Sequence, residues 1–236
     1  MKDLQRKISD TLANPEEYLL GFADLGELLR PAFTYRYAVV IGKHLADAVI
    51  DGIENGPNAA YYELYKAANS ELNEASARIS KILSAEKIPH LWIRPTVADS
   101  ELQGELGRTL RYPFSHKMAA TRSGLGWIGK CDLLVTKKFG PRLRLASILT
   151  AFPVSESGAP IERSRCGKCA VCVERCPARA ASGKPWNTAV DRDEFFSAPA
   201  CRSACRELSR RNLGLDISIC GICVSVCPIG KKGQSG

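Results

Sequence analysis

A chain of 236 residues, 45% of them hydrophobic and none in a run long enough to span a membrane, can bury a sizeable core and is expected to be cytoplasmic, with no membrane partner. Ten cysteines in a reducing compartment point to metal rather than to disulfides. The formal charge of +8 is weak evidence for nucleic acid, because each four-iron cluster held by four thiolates would return about −2.

The N-terminal MKDLQRKISDTLANPEEYLL carries charge throughout and lacks the apolar core of a leader peptide. Helix and strand signals then alternate in a layered α/β pattern. AVVIGKHL reads as a buried strand, AAYYELYKAANSELNEASARISKILSAEK as a long amphipathic helix, and HLWIRP as a second strand. A short helix, SHKMAATRS, leads into the glycine-rich turn GLGWIGK, followed by strands CDLLVTKK and RLRLASILTAF. The basic run KKFGPRLR reads first as a solvated hairpin. Pro, Ser and Gly cluster in FPVSESGAPIERSR, which divides the chain into units 1–155 and 156–236, and the tail KKGQSG is expected to fray.

Nine of the ten cysteines follow residue 165. Cys166, Cys169, Cys172 and Cys176 have the spacing Cys-x-x-Cys-x-x-Cys-x-x-x-Cys-Pro, and Cys220, Cys223 and Cys227 close a second run with Cys-Pro. In two-cluster ferredoxins the fourth cysteine of a run ligates the other cluster. The expected sets are therefore Cys166, Cys169, Cys172 and Cys227 for one [4Fe-4S] cluster, and Cys176, Cys220 and Cys223 for the other. The last ligand of the second set is Cys201 or Cys205. Zinc is the alternative, but zinc knuckles separate two cysteine pairs and give no reason for cysteines at i, i+3 and i+6.

The glycines of residues 124–130 match a dinucleotide-binding pattern only superficially, since that fingerprint needs a strand before it and a helix after it. What remains is a turn that main chain and ligand could share, with Trp127 offering a flat face and Lys130 a cation. A tight connection with Trp127 in the core is the alternative.

SHKMAATRSGLGWIGKCDLLVTKKFGPRLRLASILTAFPV, followed by CGKCAVCVERCP and CGICVSVCP, resembles the epoxyqueuosine reductase family and its shorter relatives with a double four-iron-cluster domain. The resemblance implies an α+β protein: a nitroreductase-like α/β domain holding base-off cobalamin beside a ferredoxin-like two-cluster domain, an architecture shared with reductive dehalogenases. It implies that Ser115, His116 and Lys117, with Gly124, Leu125, Gly126, Trp127, Ile128, Gly129 and Lys130, lie along the corrin. It also aligns Cys201 with the second cluster's isolated ligand. The family's catalytic aspartate falls at Leu110, which cannot donate a proton, so His116 is the candidate catalytic residue, with Tyr112 and Asp132 as further acids. Cys131 is expected to be a buried, inert thiol.

The implied activity is an iron–sulfur, cobalamin-dependent reductase acting on a small molecule or modified nucleoside, supplied by a redox donor such as ferredoxin or flavodoxin. The family's C-terminal helical-repeat region has no counterpart here, so tRNA is not the expected substrate. The competing expectation is a non-enzymatic two-cluster electron-transfer protein without cobalamin.

Overall fold

The computed structural model describes residues 2–12, 14–28, 35–154 and 157–231. In chain order its main elements are α1 (Lys2–Ser9), β1 (Tyr18–Asp24), β2 (Tyr37–His44), α2 (Asp47–Asp51), α3 (Ala59–Ala85), β3 (His90–Ile93), α4 (Gly104–Thr109), α5 (His116–Arg122), β4 (Gly126–Ile128), β5 (Leu134–Thr136) and β6 (Leu143–Thr150). The cysteine-rich part adds α6 (Val171–Glu174), α7 (Ala198–Leu213) and α8 (Ile222–Ser225). Of the tail expected to fray only Lys231 is described, and residues 155–156 of the expected boundary lie outside the described residues.

Period-two side-chain alternation decides the centre of the molecule. Successive residues of a strand face opposite sides, and β2 and β6 are apolar on both. Val39, Ile41, Ala146 and Ile148 pack with Leu4 and Ile8 of α1 and Leu72, Ala75, Ile79 and Leu83 of α3. Ala38, Val40 and Leu149 pack on the other side with Ala119 and Ala120 of α5, Phe114 and Leu134. A slip of one residue would exchange the two sets, so the register is firmly specified. The four strands run in the order β1-β2-β6-β3, every neighbouring pair antiparallel, which makes the layering that of an α+β protein. The helices start where the sequence supplies caps. Asn58 accepts a hydrogen bond from the Tyr61 amide to open α3, and Ser115 accepts one from the Met118 amide to open α5.

Three sequence expectations change here. The glycine-rich segment is not one open turn: Gly126–Ile128 is a strand paired with β5, and Gly129 to Leu133 make the connection. Asp132 takes a left-handed conformation, φ 60°, so the strand expected from residue 131 begins at Leu134. The glycines serve main chain against main chain. A Cβ on Gly124 would lie 2.8 Å from the Ala159 carbonyl oxygen, and one on Gly126 would strike the Val135 carbonyl. The basic run is not a solvated hairpin either. Lys137 and Lys138 are exposed, but Arg142 is fully buried and pairs with Asp47 at 3.0 Å and Asp51 at 2.5 Å, which ties β6 to α2.

The cysteine-rich part shares cores with the first half. Ile219 and Val224 pack with Leu45, Ile50, Ile53 and Tyr61, while Trp186 and Phe195 pack with Trp127, Ile128 and Val135. Two glycines interlock at the β5–β6 turn: a Cβ on Gly140 would strike the Ile229 carbonyl, and one on Gly230 would strike the backbone of Phe139 and Gly140.

Candidate metal centre and adjoining cavity

All ten cysteines are free thiols. Cys166, Cys169 and Cys172 lie on the loop entering α6 and on α6 itself, and Cys227 follows α8. Burial pushes the Cys227 thiol up to about 11, and the neighbouring Cys172, Cys166 and Cys169 thiols push it the same way, so these four stand within electrostatic reach of one another. Cys176, Cys201, Cys205, Cys220 and Cys223, together with Cys131 and Cys172, line a cavity of about 440 Å³. Cys201 and Cys205, one turn apart on α7, bring their sulfurs to 3.9 Å. A hydrogen bond from Cys205 holds the Cys220 thiol down to about 7, and the same contact with Cys205 lowers Cys201. Cys205 thus lies within hydrogen-bonding range of both Cys201 and Cys220. Cys131 is buried, as expected, within hydrogen-bonding range of Cys172 and Cys223.

Among the described residues no three His, Cys, Asp or Glu side chains close around a single ion. A four-iron cluster asks for a looser set, because each cysteine binds a different iron. Lys130 is a further observation in favour of such a group. It is 8% exposed, and its ammonium donates to the carbonyls of Gly167 at 3.0 Å and Cys169 at 2.9 Å, with no carboxylate beside it among the described residues. An ammonium in that position costs several kcal/mol unless an anion is near, on the order expected for a buried ion. A cluster on the Cys166 loop, about −2 with its thiolates, supplies one.

A second cavity, of about 620 Å³, adjoins the first. Both are bounded by Tyr61, Lys117, Asp132, Leu133, Arg144 and Val224. Lys117 holds Asp132 twice, through its carboxylate at 2.6 Å and its carbonyl at 2.7 Å. Ser115, His116 and Lys117 reach the larger cavity, as does Ile128. The other members of the expected corrin-binding segment do not line it. Gly124, Gly126 and Gly129 pack against residues 158–159 and Val135, Leu125 against the α5 core, and Trp127 among Trp186 and Phe195. Lys130 holds the cysteine loop instead.

His116 is corrected as a proton donor. Its Nε2 donates to the Arg94 carbonyl at 3.0 Å, which leaves Nδ1 to accept from the Ser147 hydroxyl at 2.9 Å. No N–H remains for a substrate. Desolvation lowers its pKa to about 4, so the ring is neutral and fastens α5 to β6. Leu110 lies on the cavity wall in a left-handed conformation, φ 52°. Tyr112 lines the same cavity and is 39% exposed.

Sequence reasoning missed the wall contributed by the segment between Cys176 and Cys201. Trp186, Val190, Arg192 and Phe195 all line the larger cavity. Arg192 donates to the carbonyls of Leu110 at 2.9 Å and Thr109 at 2.6 Å, and Arg111 pairs with Asp191 and Asp193. The signal was present in PWNTAVDRDEFF, whose aromatics and alternating charges exceed what a spacer between ligands needs.

Residues 165–230 match the family model described as a 4Fe-4S double cluster binding domain. Over 119 residues the chain is 33% identical to an epoxyqueuosine reductase of Lactococcus garvieae, covering 48% of this chain and 31% of that protein. Over 187 residues it is 27% identical to the epoxyqueuosine reductase of Aliivibrio fischeri, covering 75% of this chain and 44% of the relative. The chain therefore spans less than half the length of these curated relatives. A solved epoxyqueuosine reductase with an epoxyqueuosine-modified tRNA-Tyr stem loop superposes with TM-score 0.62 at 18% identity, covering 98% of this chain and 65% of that one. A catabolic reductive dehalogenase, NpRdhA, superposes with TM-score 0.66 at 14% identity, covering 98% and 36%. Among the described residues no helix is long and apolar enough to cross a membrane. In sequence and in fold this chain is similar to the epoxyqueuosine reductases, and its residues 165–230 match a 4Fe-4S double cluster binding domain.

Proposed function

We propose that the chain is an iron–sulfur reductase in which two [4Fe-4S] clusters deliver electrons to a substrate bound in the 620 Å³ cavity. Residues 1–155 form the cofactor- and substrate-binding unit, resembling a nitroreductase-like domain, and residues 156–236 the cluster unit. Cluster one uses Cys166, Cys169, Cys172 and Cys227; cluster two uses Cys176, Cys220, Cys223 and Cys201. Cys205, its sulfur 3.9 Å from that of Cys201, would then sit beside the cluster as a neighbour of its ligands. The observation that carries the reading is the common wall. Lys117, Asp132 and Arg144 bound both the cysteine-lined cavity and the larger one, so reducing equivalents have a short route between them.

The larger cavity pairs aromatic and aliphatic walls with a few charged groups, the composition of a cofactor site. Ser115, Lys117, Ile128 and Arg144 would hold cobalamin there, which supplies reduction at cobalt. Arg192 and Arg111 fix the wall at residues 109–111, while neutral His116 holds the start of α5. Of the acid candidates, Asp132 is tied to Lys117, whereas Tyr112 lines the cavity and is the residue offered for proton delivery. The substrate class is a modified nucleoside, as the names of the relatives indicate.

Anaerobic titration with cobalamin, followed by absorption, tests the cofactor, and mass spectrometry of epoxyqueuosine incubated with reduced protein tests the chemistry. Micromolar binding and loss of the epoxide oxygen are expected, and Tyr112→Phe should lower turnover at least tenfold without loss of binding. Leu110, an aliphatic side chain at the family's acid position, favours a second reading as an electron-transfer protein. Absence of cobalamin binding with both clusters present would select it.

A further inference from the structure

We propose that the exposed loop around Cys169 is the docking surface for a small acidic one-electron donor protein, so that electrons enter at cluster one and leave through cluster two. The inference rests on the two-cluster reading above. Among the candidate ligands Cys169 alone is exposed; the rest are half-buried and Cys205 is buried. That exposure is to the outside, since Cys169 does not line the cysteine cavity and its neighbours Gly167 and Lys168 are exposed with it. Val171, two residues on, is 38% exposed, one of five large hydrophobic side chains so placed among the described residues.

Around this apolar spot the loop carries exposed Arg163, Arg165, Lys168, Arg175 and Arg179. Only Glu162 and Glu174 oppose them on the same stretch, and Glu162 is engaged by Arg122 at 3.5 Å. An apolar centre beside a redox ligand with a cationic rim fits a small, transient interface whose association is steered by charge. The partner must therefore be acidic. RNA is also anionic, but sequence-tolerant RNA sites stack bases on exposed aromatics, and no aromatic is exposed on this loop. Cluster two has the opposite setting. All four of its cysteines line the inner cavity beside Lys117 and Asp132, adjoining the substrate site, whereas of cluster one's only Cys172 does. The step is balanced: the reduced iron–sulfur or flavin donor loses one electron, cluster one gains it, and no bond or proton is exchanged.

The test uses anaerobic holoprotein, mixed rapidly with reduced acidic plant-type ferredoxin, with bleaching of the cluster absorption followed against salt. Arg163→Glu combined with Lys168→Glu, both exposed, should slow this reaction about tenfold at low salt, and native and variant rates should converge at high salt. Lys168→Glu alone should give a smaller loss in the same direction. Photoreduced deazaflavin, a reductant without the acidic surface, should reduce native and variant proteins equally. If deazaflavin bleaches both proteins but ferredoxin reduces them at the same rate at every salt concentration, the docking surface falls and the clusters stand. If an RNA stem loop binds native protein, loses affinity in the variant, and ferredoxin rates are unchanged, the surface belongs to RNA. Iron and sulfide far below eight each per chain would overturn both readings.

Discussion

The antiparallel sheet and the cysteine-rich region are held together by different physics. In β2 and β6, residues such as Val39, Val40, Ile41 and Ile148 are fully buried, and α1, α3 and α5 cover both faces. Each of these side chains contributes roughly 1.5–3 kcal/mol by leaving water. Residues 157–231 contain one helix of 16 residues, two of four, and isolated bridges. Their large buried apolar residues, Trp186, Phe195, Leu208, Ile219, Ile222 and Val224, are few, and beside them stand mostly half-buried thiols. The lesson is that one half is folded by its own apolar pattern, whereas the other borrows apolar partners from the first half and would gain the rest of its core from the proposed clusters.

The largest effect should come from removing the iron. Amide exchange in residues 157–231 should rise by orders of magnitude after chelation, while β2 and β6 keep their protection. Equal loss in both regions would erase the contrast. Next comes the crossed ligation. Cys227→Ser should abolish the paramagnetic signal of cluster one and Cys176→Ser that of cluster two; damage confined to each residue's own run would show that the runs are not interleaved.

Gly126→Val sharpens the boundary between the halves. Its Cβ would meet the Val135 carbonyl rather than a ligand, so denaturant unfolding should show a loss of about 2–4 kcal/mol. A variant of native stability that merely failed to bind cobalamin would restore the glycine turn as a ligand surface. Lys130→Met removes the cation that the first half lends to the Cys166 loop. Cluster one should become harder to reduce by about 59 mV, a tenfold change in its one-electron equilibrium, with cluster two unmoved in the same redox titration.

The smallest effect concerns His116. Its pKa is about 4 in the fold and 6.5 when unfolded, so below pH 6.5 the unfolded chain binds a proton that the fold refuses. Stability should fall by about 1 kcal/mol between pH 6.5 and 5.5 from this group. His116→Gln should flatten that part of the profile by the same amount; an unchanged slope would mean that the imidazole is not held neutral.

The parts of the molecule with a strong local pattern were readable in advance. The apolar runs at residues 38–45 and 142–152 are strands, the long periodic segment after Asn58 is a helix, and the two Cys-Pro runs announce the double cluster domain. What was hidden depends on partners distant in sequence. Gly124 and Gly126 look alike whether a ligand or a carbonyl approaches them, and only the fold puts Ala159 and Val135 there. His116 looks catalytic until Arg94 and Ser147 occupy its nitrogens. Arg142 belongs to a charged run, yet Asp47 and Asp51, some 90 residues earlier, draw it inside. The cavity wall from Trp186 to Phe195 was concealed because it arises from an insertion between ligands.

The interlocked glycines at positions 140 and 230 also bear on the order of events during biosynthesis. The segment that follows Cys227 seats against the Phe139–Gly140 turn, with no room for a side chain on either glycine. Cys227, the fourth ligand proposed for cluster one, lies three residues before Gly230, so its placement depends on a turn some 90 residues earlier in the chain. Under the proposed ligation, cluster one would close only once the Phe139–Gly140 turn and the segment after Cys227 have met. A chain misfolded at that turn would lack the seat of the proposed fourth ligand, so iron loading would report whether the two distant segments had joined.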